Sequence, residues 1–498
     1  MQVRDELAAA LQRAIKGEVR FDTVSRMLYR TDASIYAIEP LGLVVPRDED
    51  DVAAAIAVAA ANGAAVLPRG GGTSLAGQSV GAAIHLDCSK YMNRVLEFNA
   101  EERWVRVQPG LVLDELNAYL QPHGLVFAPD VSTSSRANIG GMIGNNSCGA
   151  HSIIYGKTID HVLELKVVLA DGSRAVLGPV DEERYQQRAA GEDLEGQIYR
   201  EIRRIANERT EQIRAGFPSV MRRVSGYNLD EFINGTPFDL SKIAVGSEGT
   251  LCTVVEAKLN LVELPAHKGL VAVHFNDLVE SVEANLVALE TAPVACELID
   301  KILLDQTIDS IEHAPSRRFL DGDPAALLVV EYFAQSEAEL GRKMDELEAR
   351  LGEREMGYAY VRAIEPGAQK AIWELRKAGL GLLMGMKGDP KPNPGVEDTC
   401  VPVEHLPAYV RSVVALMDEL GLAAEYYGHA SVGLLHIRPI FNLKDPEGIE
   451  LLRHIEERMS DMVLQYGGAM TGEHGDGLAR SEWIEKMFGP ERVAAFAE

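Results

Sequence analysis

Two stretches near the C-terminus concentrate side chains that bind metals or move protons. In Tyr427-Gly428-His429-Ala430-Ser431-Val432-Gly433-Leu434-Leu435-His436, two imidazoles stand seven residues apart. In Thr471-Gly472-Glu473-His474-Gly475-Asp476-Gly477, a carboxylate and a third imidazole sit between glycines, where side chains stand clear of the backbone. Two histidines and one carboxylate with open positions form a catalytic-metal arrangement of the zinc or manganese kind, with His429, His436 and Glu473 as ligands. The other reading is a metal-free site in which these histidines hydrogen-bond substrate directly. On one straight strand a seven-residue separation puts His429 and His436 on opposite faces, so they converge only if the backbone turns, which Gly433 permits. Taken alone, paired histidines among apolar residues are more often structural.

Arg376, in Trp373-Glu374-Leu375-Arg376-Lys377, offers a planar fork of donors suited to a carboxylate. By itself it reads first as a solvated helix arginine beside Glu374. Lys391 is a second anion-binding candidate, and Arg438 a third for which a structural ion pair is the alternative. The paired Arg222 and Arg223 read as structural, with Tyr227 and Asn228 candidates for a place near a cofactor.

Three segments are rich in glycine. Arg69-Gly70-Gly71-Gly72-Thr73-Ser74, with Gln78 just beyond, leaves successive backbone N–H groups unobstructed by any Cβ and suits a phosphate. A flexible turn is the alternative for a lone triglycine. A second loop, Asn138 to Gly149, packs four glycines with Asn145 and Ser147 into twelve residues after Pro129-Asp130, and a third is Gly246-Ser247-Glu248-Gly249-Thr250. None of the three matches the GxGxxG of a nicotinamide Rossmann unit or a Walker A loop.

These residues need a scaffold. At 498 residues and 46% apolar content, the chain is long enough for two or three domains. Net charge is −26, so no sequence-wide positive field draws nucleic acid, and an anionic substrate must be caught by local cations. Five scattered cysteines without a CxxC pair argue against a disulfide framework or an iron-sulfur cluster in this chain and fit a reducing cytoplasm. The N-terminus lacks the apolar run of a signal peptide, and no stretch approaches a membrane span.

Residues 1–36 read as a helical lead-in. GLVVP, DEDDVAAAIAVAAANG and AAVLP read as strand, helix and strand, leading into the triglycine loop. Strands are expected at 83–87 and 103–108, a helix from Leu111 to Leu120, a hairpin turning at Asp171-Gly172, and a helical insertion over about 182–216. From His267, strands and helices alternate as in a smaller α+β domain. Helices over 366–385 and 405–420 flank the loop GDPKPNPGVEDTCVP, whose length and composition mark it as functional. The expected division is 1–36, 37–265, 266–425 and 426–498.

PRGGGTS, the APD…IGGMIGNNSCG block, Tyr155-Gly156 before an apolar strand, and GSEGTL occur in an order and spacing that resembles the FAD-linked oxidases of the vanillyl-alcohol-oxidase type, from residue 40 to the end. The chain looks most like the D-lactate, glycolate and D-2-hydroxyglutarate dehydrogenases among them. The resemblance implies an α+β fold: a two-subdomain PCMH-type FAD-binding domain and a ferredoxin-like α+β cap for substrate. It places Arg69 to Ser74 on the FAD pyrophosphate and counts Gln78 among the cofactor-binding residues. Pro129, Asp130, Ser135, Gly140, Gly141, Asn145, Ser147, Gly149 and Tyr155 would run along the cofactor, and Glu248, Gly249 and Val254 would lie near its nucleotide end. Thr73 stands where several relatives carry a flavin-linking histidine, so non-covalent FAD is expected. Arg376 matches the arginine that grips the substrate carboxylate. His429, His436 and Glu473 match residues that bind a divalent metal, and His474 is the expected base. Relatives carry an acidic residue and an asparagine in the histidine loop, where this chain has Ser431, Val432, Leu434 and Leu435.

The expected function is oxidation of a D-2-hydroxy acid with hydride transfer to flavin. Its electron acceptor would be an iron-sulfur domain or protein, and a homodimer is compatible with the family. The sequence ends at Glu498, before the segment that usually closes the fold, so the chain is also readable as the flavin portion of a longer electron-transfer enzyme. The intact Arg376, His429, His436, Glu473 and His474 argue against a non-catalytic flavin subunit, and the GEHG block against a peptidoglycan-precursor reductase.

Overall fold

A computed structural model describes residues 2–233, 237–395 and 397–498 of the chain. Val396, in the Pro/Gly-rich loop, lies outside the described residues.

The N-terminal lobe begins as its periodicity predicts. Gly42–Val45 and Val66–Arg69 pair in parallel on either side of Ile84–Asp87, joined by the helix Glu49–Ala61. That helix starts where it does because the Asp48 side chain accepts the N–H of Asp51, while Glu49, Asp50 and Asp51 face the positive end of the helix dipole. Gly63, at φ +63°, turns the chain into the next strand. The strand Val66–Arg69 therefore delivers the triglycine loop at its C-terminal end. The lead-in is not purely helical. After the helix Gln2–Ala14, Glu18–Arg20 joins the same sheet antiparallel to Gly42–Val45, so 1–36 packs as part of this lobe.

A second, antiparallel sheet runs in the order Val95–Asn99, Trp104–Val107, Thr253–Asn260, Val162–Val168, Arg174–Leu177. Strict alternation of buried and half-buried residues along Thr253–Asn260 shows one face on the core. Asp171 and Gly172 turn the hairpin as expected, and 182–216 forms three helices, Glu182–Ala189, Leu194–Glu208 and Thr210–Gly216.

The cap is an eight-stranded sheet among the described residues, with Ala326–Ala334 between His267–Phe275 and Ala295–Asp300. Its central strands are apolar on both faces because both are covered. Val271, Val273 and Phe275 join the core under the helices Leu278–Leu289, Glu337–Glu353 and Leu406–Leu420, whereas Leu270 and Ala272 face the helix Pro366–Met384. Ala424–His429 and Leu434–Phe441 belong to this same sheet, since Ala295–Asp300 pairs with Ala424–His429. The division at 425/426 thus falls inside a strand, and the cap sheet extends into the C-terminal segment. Beyond it the chain returns to the N-terminal lobe: Leu478 and Ala479 donate to the Ala76 carbonyl, and Phe488 and Phe496 pack on Phe217.

Candidate active site

Between the lobes lies a cavity of about 640 Å³. Arg69 to Ser74, Gln78, Asp130, Gly140, Gly141, Asn145, Ser147, Gly149, Tyr155, Glu248, Gly249 and Val254 line it, so the three glycine segments share one wall. Pro129 and Ser135 do not reach it. Pro129 is buried in the lobe, and Ser135 is exposed on the outside of a turn whose Ser132, Thr133 and Arg136 face the cavity. Tyr227, Asn228, Lys391 and Arg438 also lie off the wall. Lys391 donates to the Met386 carbonyl, Asn228 to the carbonyls of Lys242 and Val245, and the Tyr227 hydroxyl meets Thr250.

Glycine is required here for close backbone approach. A Cβ on Gly71 would sit 2.2 Å from the Arg136 carbonyl oxygen, and one on Gly149 2.2 Å from that of Asp130. At Gly141, which lines the cavity, a Cβ would meet nothing within 4 Å. The Arg69 guanidinium donates to the carbonyls of Tyr29, Thr31 and Ser79, bracing the triglycine loop from behind.

The loops also grip the catalytic segment. Gln78 donates through Nε2 to the His474 carbonyl (2.6 Å), and Asn145 donates through Nδ2 to the Glu473 carbonyl (2.6 Å). Glu248, at φ +52°, accepts the N–H groups of Asp476 and Gly477. Burial and the nearby Asp476 push its carboxyl up to about 7.

His429 and His436 face each other because the backbone does turn between them. The strand Ala424–His429 ends at His429, a 3₁₀ turn follows, and Gly433 at φ +73° starts the returning strand. Gly433 is also enforced by packing, since a Cβ there would stand 2.0 Å from the Val401 carbonyl oxygen. The Nε2 atoms of His429, His436 and His474 lie 3.1, 3.1 and 3.5 Å from one oxygen, Oε1 of Glu473. Oε2 of Glu473 takes the fully buried Arg222 at 2.8 Å. Burial favours a neutral Glu473, but His429 and Arg222 outweigh it and hold the carboxyl well below the usual range.

Carboxylates stand behind these rings. Nδ1 of His429 is 2.7 Å from Glu297, and Nδ1 of His474 is 2.5 Å from Glu397. Nδ1 of His436 lies 3.5 Å from Glu397 and 3.6 Å from Asp398. One oxygen of Asp398 accepts from Thr471 Oγ1 and the backbone N–H groups of Glu473 and His474, which fixes the GEHG turn. Burial disfavours a charged His474, yet Asp398 and Glu397 raise it to about 9.

Arg376 is not a solvated helix residue. Its Nε and Nη2 both contact Oε2 of Glu297 at 2.9 Å, and its guanidinium lies 4.6 Å over the Tyr427 ring. Glu297 thereby links Arg376 to His429 and on to Glu473 and Arg222, an alternating row of charges. Arg438 forms a fully buried pair with Glu397 at 2.9 Å, the structural alternative considered for it. Sequence reasoning missed Arg222 as a partner of this site, and Glu297, Glu397 and Asp398 altogether. The signals present were an acid inside the apolar strand ACELID and the adjacent acids of the Pro/Gly-rich loop.

His151 was also missed. Its Nδ1 lies 2.6 Å from Asp130 and its Nε2 2.5 Å from Glu331 of the cap, with the ring stacked on Phe333. Carboxylates only accept, so both ring nitrogens carry hydrogen and the ring is an imidazolium joining the lobes. Burial opposes that charge, but Asp130 and Glu331 raise the ring to about 10. A raised value means stability that is complete below the unfolded histidine's 6.5 and is lost as pH rises through 10. Thermal melts of His151→Phe, which keeps the stacking ring, are expected to fall furthest below wild type at pH 6 to 7, with the gap narrowing by pH 10.

Residues 40–178 match the family described as FAD binding domain, and residues 264–498 that described as FAD linked oxidases, C-terminal domain. The chain belongs to the FAD-linked oxidases. This family member is 38% identical over 499 residues to the D-2-hydroxyglutarate dehydrogenase of Pseudomonas putida and 36% identical to that of Escherichia coli, each alignment covering 97% of this chain and 49% of the relative. It therefore spans about half the length of those relatives. The glycolate oxidase subunit GlcD of Bacillus subtilis is 26% identical over 97% of this chain and 91% of its own length. The fold is shared with p-cresol methylhydroxylase (TM-score 0.69, 12% identity, 100% of this chain and 93% of that one) and alkyldihydroxyacetonephosphate synthase (TM-score 0.65, 16% identity, 99% and 84%). The α+β, PCMH-type architecture implied by the glycine motifs is thus the one adopted.

As a FAD-linked oxidase, the chain has a cradle that suits the cofactor. The three loops offer glycine backbone, and the space in front of Gly141 is free. Gly141→Leu is the cleanest perturbation. Its Cβ meets no neighbour, its remaining atoms add volume at the cavity lining, and replacing glycine inside the helix Ile139–Asn145 improves helix propensity. The variant is expected to melt no lower than wild-type apoprotein while losing its 450 nm flavin absorbance on desalting.

Among the described residues no helix is long and apolar enough to cross a membrane, and all five cysteines are free thiols.

Proposed function

We propose that this chain oxidises a D-2-hydroxy acid to the 2-oxo acid, with FAD held non-covalently as hydride acceptor. One observation carries the reading: three imidazole nitrogens converge on Glu473 within the same cavity that the glycine loops line. The substrate carboxylate docks on the face of Arg376 not engaged by Glu297. His474, held through Nδ1 by Glu397, takes the hydroxyl proton on Nε2. Thr73 in the first loop offers no ring nitrogen for attachment to flavin, which supports non-covalent binding.

The donor set also fits a divalent ion. Ligand atoms of Asp398, His436, Glu473 and His474 lie within 4.8 Å of one another, and His429 contacts the same Glu473 oxygen. Carboxylates behind the outward ring nitrogens are the usual support of metal-binding histidines. We infer that His429, His436 and Glu473 would hold zinc or manganese, leaving His474 Nε2 free to take the proton, and that the ion when bound would acidify the substrate hydroxyl. The likeness to dehydrogenases about twice as long favours a second reading within this one, in which the chain is the flavin portion of a larger oxidoreductase; an iron-sulfur domain would then take the electrons, and the free cysteines suit a cytoplasmic place for it. Anaerobic mixing with D-2-hydroxyglutarate, D-malate, D-lactate and glycolate tests the proposal. Flavin bleaching by a D-acid and not by its L-enantiomer is expected, and absorbance unchanged by every acid would refute it.

A further inference from the structure

Hydride transfer, as proposed above, crosses from one lobe to the other. The glycine loops belong to the N-terminal lobe, while Arg376, His429 and His436 stand on the cap. Reacting atoms have to come within about 3–3.5 Å, so whatever fixes the cap against the N-terminal lobe also fixes the reaction distance.

The chain crosses between the lobes at 264–266 and again at 470–471. Val262–Glu263 still pairs with Leu125–Val126, and His267 begins the first cap strand. Ala469 still bonds to Cys400 of the cap, whereas the Thr471 carbonyl accepts from Val224 of the N-terminal lobe. Past the second crossing, the segment from Glu473 to Asp476 is tied to that lobe by Arg222, Asn145, Gln78 and Glu248. The cap from His267 to Ala469 is held differently. Among the described residues, one ion pair joins it to the N-terminal lobe, His151 to Glu331 at 2.5 Å. Ile153 and Val220 add apolar packing against Cys400, Val432 and Leu434.

Glu331 lies on the cap face that floors the cavity. Ala295 stands opposite Glu331 and Glu297 opposite Val329, so Glu297 and Glu331 are diagonal neighbours on one face, about 7–8 Å apart. Glu297 carries both Arg376 at 2.9 Å and Nδ1 of His429 at 2.7 Å. At the other end, Asp130 anchors the His151 ring at 2.6 Å, and the Asp130 carbonyl is the group that Gly149 approaches too closely for a Cβ. The bridge thus runs from a glycine loop to the pair of strands bearing the anion-binding and imidazole groups. Both ring nitrogens of His151 are engaged, so neither is free to bind substrate or move a proton.

Resting on the hydroxy-acid reading above, we propose that His151 is a positioning residue, whose bridge to Glu331 holds the floor of Glu297, Arg376 and His429 at hydride-transfer distance and keeps the cap closed on FAD. The test compares Glu331→Ala and His151→Phe with two controls. Glu331→Gln keeps an oxygen that accepts from Nε2–H, and Leu347→Ala opens a hole in the cap core on the other face of the sheet. Two rates are read on the FAD-loaded protein: limiting flavin reduction by D-2-hydroxyglutarate in stopped flow, and release of FAD to an apoflavoprotein scavenger with no acid present. Glu331→Ala and His151→Phe are expected to slow reduction at least about tenfold, with half-saturation within about twofold, and to speed FAD release about tenfold, the size of one charged hydrogen bond. Glu331→Gln should stay within about threefold of wild type in both rates, because the hydrogen bond survives. Leu347→Ala should lower the melting temperature and leave both rates unchanged. Unchanged rates in Glu331→Ala and His151→Phe overturn the proposal, as do rates that simply follow melting temperature across the four variants. Equal losses in Glu331→Gln and Glu331→Ala also overturn it, since charge and not position would then be responsible. Should no acid bleach the flavin, the hydroxy-acid reading falls and FAD release alone decides the bridge.

Discussion

His474→Ala is expected to slow flavin reduction by a D-2-hydroxy acid about a thousandfold, within the range attributed to a positioned proton acceptor, while FAD remains bound. The separation of the two effects follows from where the contacts lie. Gln78 reaches the His474 segment through its backbone carbonyl, which alanine keeps, and the glycine backbone of the three loops is untouched by the substitution. The ring alone meets Glu397 and Glu473. Because Asp398 and Glu397 hold this ring protonated up to about 9, it accepts a proton only after losing one. In protein stripped of divalent ions, reduction by wild type should therefore rise with pH towards 9, and His474→Ala should show no such rise. Wild-type rates in the alanine variant would remove His474 from the mechanism.

The second large effect concerns a residue that touches no substrate. Arg222 is fully buried, with one amine on Glu473 at 2.8 Å and another on the Gly149 carbonyl at 3.1 Å. Arg222→Met leaves the Glu473 carboxylate buried without its guanidinium, and removing one partner of a buried pair costs about 3–5 kcal/mol. A clear fall in Tm and loss of hydroxy-acid oxidation are both expected. Lysine should restore the charge but not both contacts, since it lacks the planar fork. The double variant Arg222→Met with Glu473→Gln discriminates, because the uncompensated charge is then gone. Its melting temperature should lie above that expected from adding the single effects. Strict additivity would mean that the pair is not energetically coupled.

Much of this site can be read along the chain because the relevant physics is local. Three clusters of glycine announce backbone that must approach something closely, and the structure puts all three on one cavity. The sequence GLVVP-DEDDVAAAIAVAAANG-AAVLP carries its own helix cap, dipole charges and stop, so strand, helix and strand form where expected. Gly433 marks the turn that brings His429 to His436. Less legible were the charges. Arg376 looked like a solvated helix arginine beside Glu374, and its true partner, Glu297, is 79 residues away on a strand of the cap. The division at 425/426 failed for a similar reason, because only the pairing of Ala295–Asp300 with Ala424–His429 shows that one sheet runs through it.

What the amino-acid order determined by itself was the set of elements, the glycine loops and the identity of the imidazole and carboxylate groups available. Periodicity, capping and backbone freedom act over a few residues, and those are written contiguously. Which acid meets which imidazole was decided only by tertiary folding. Gln78 and His474 are 396 residues apart, Arg222 and Glu473 251, Glu297 and His429 132. Charges attract without regard to sequence distance, and their partners are selected by how two lobes close over a shared cavity.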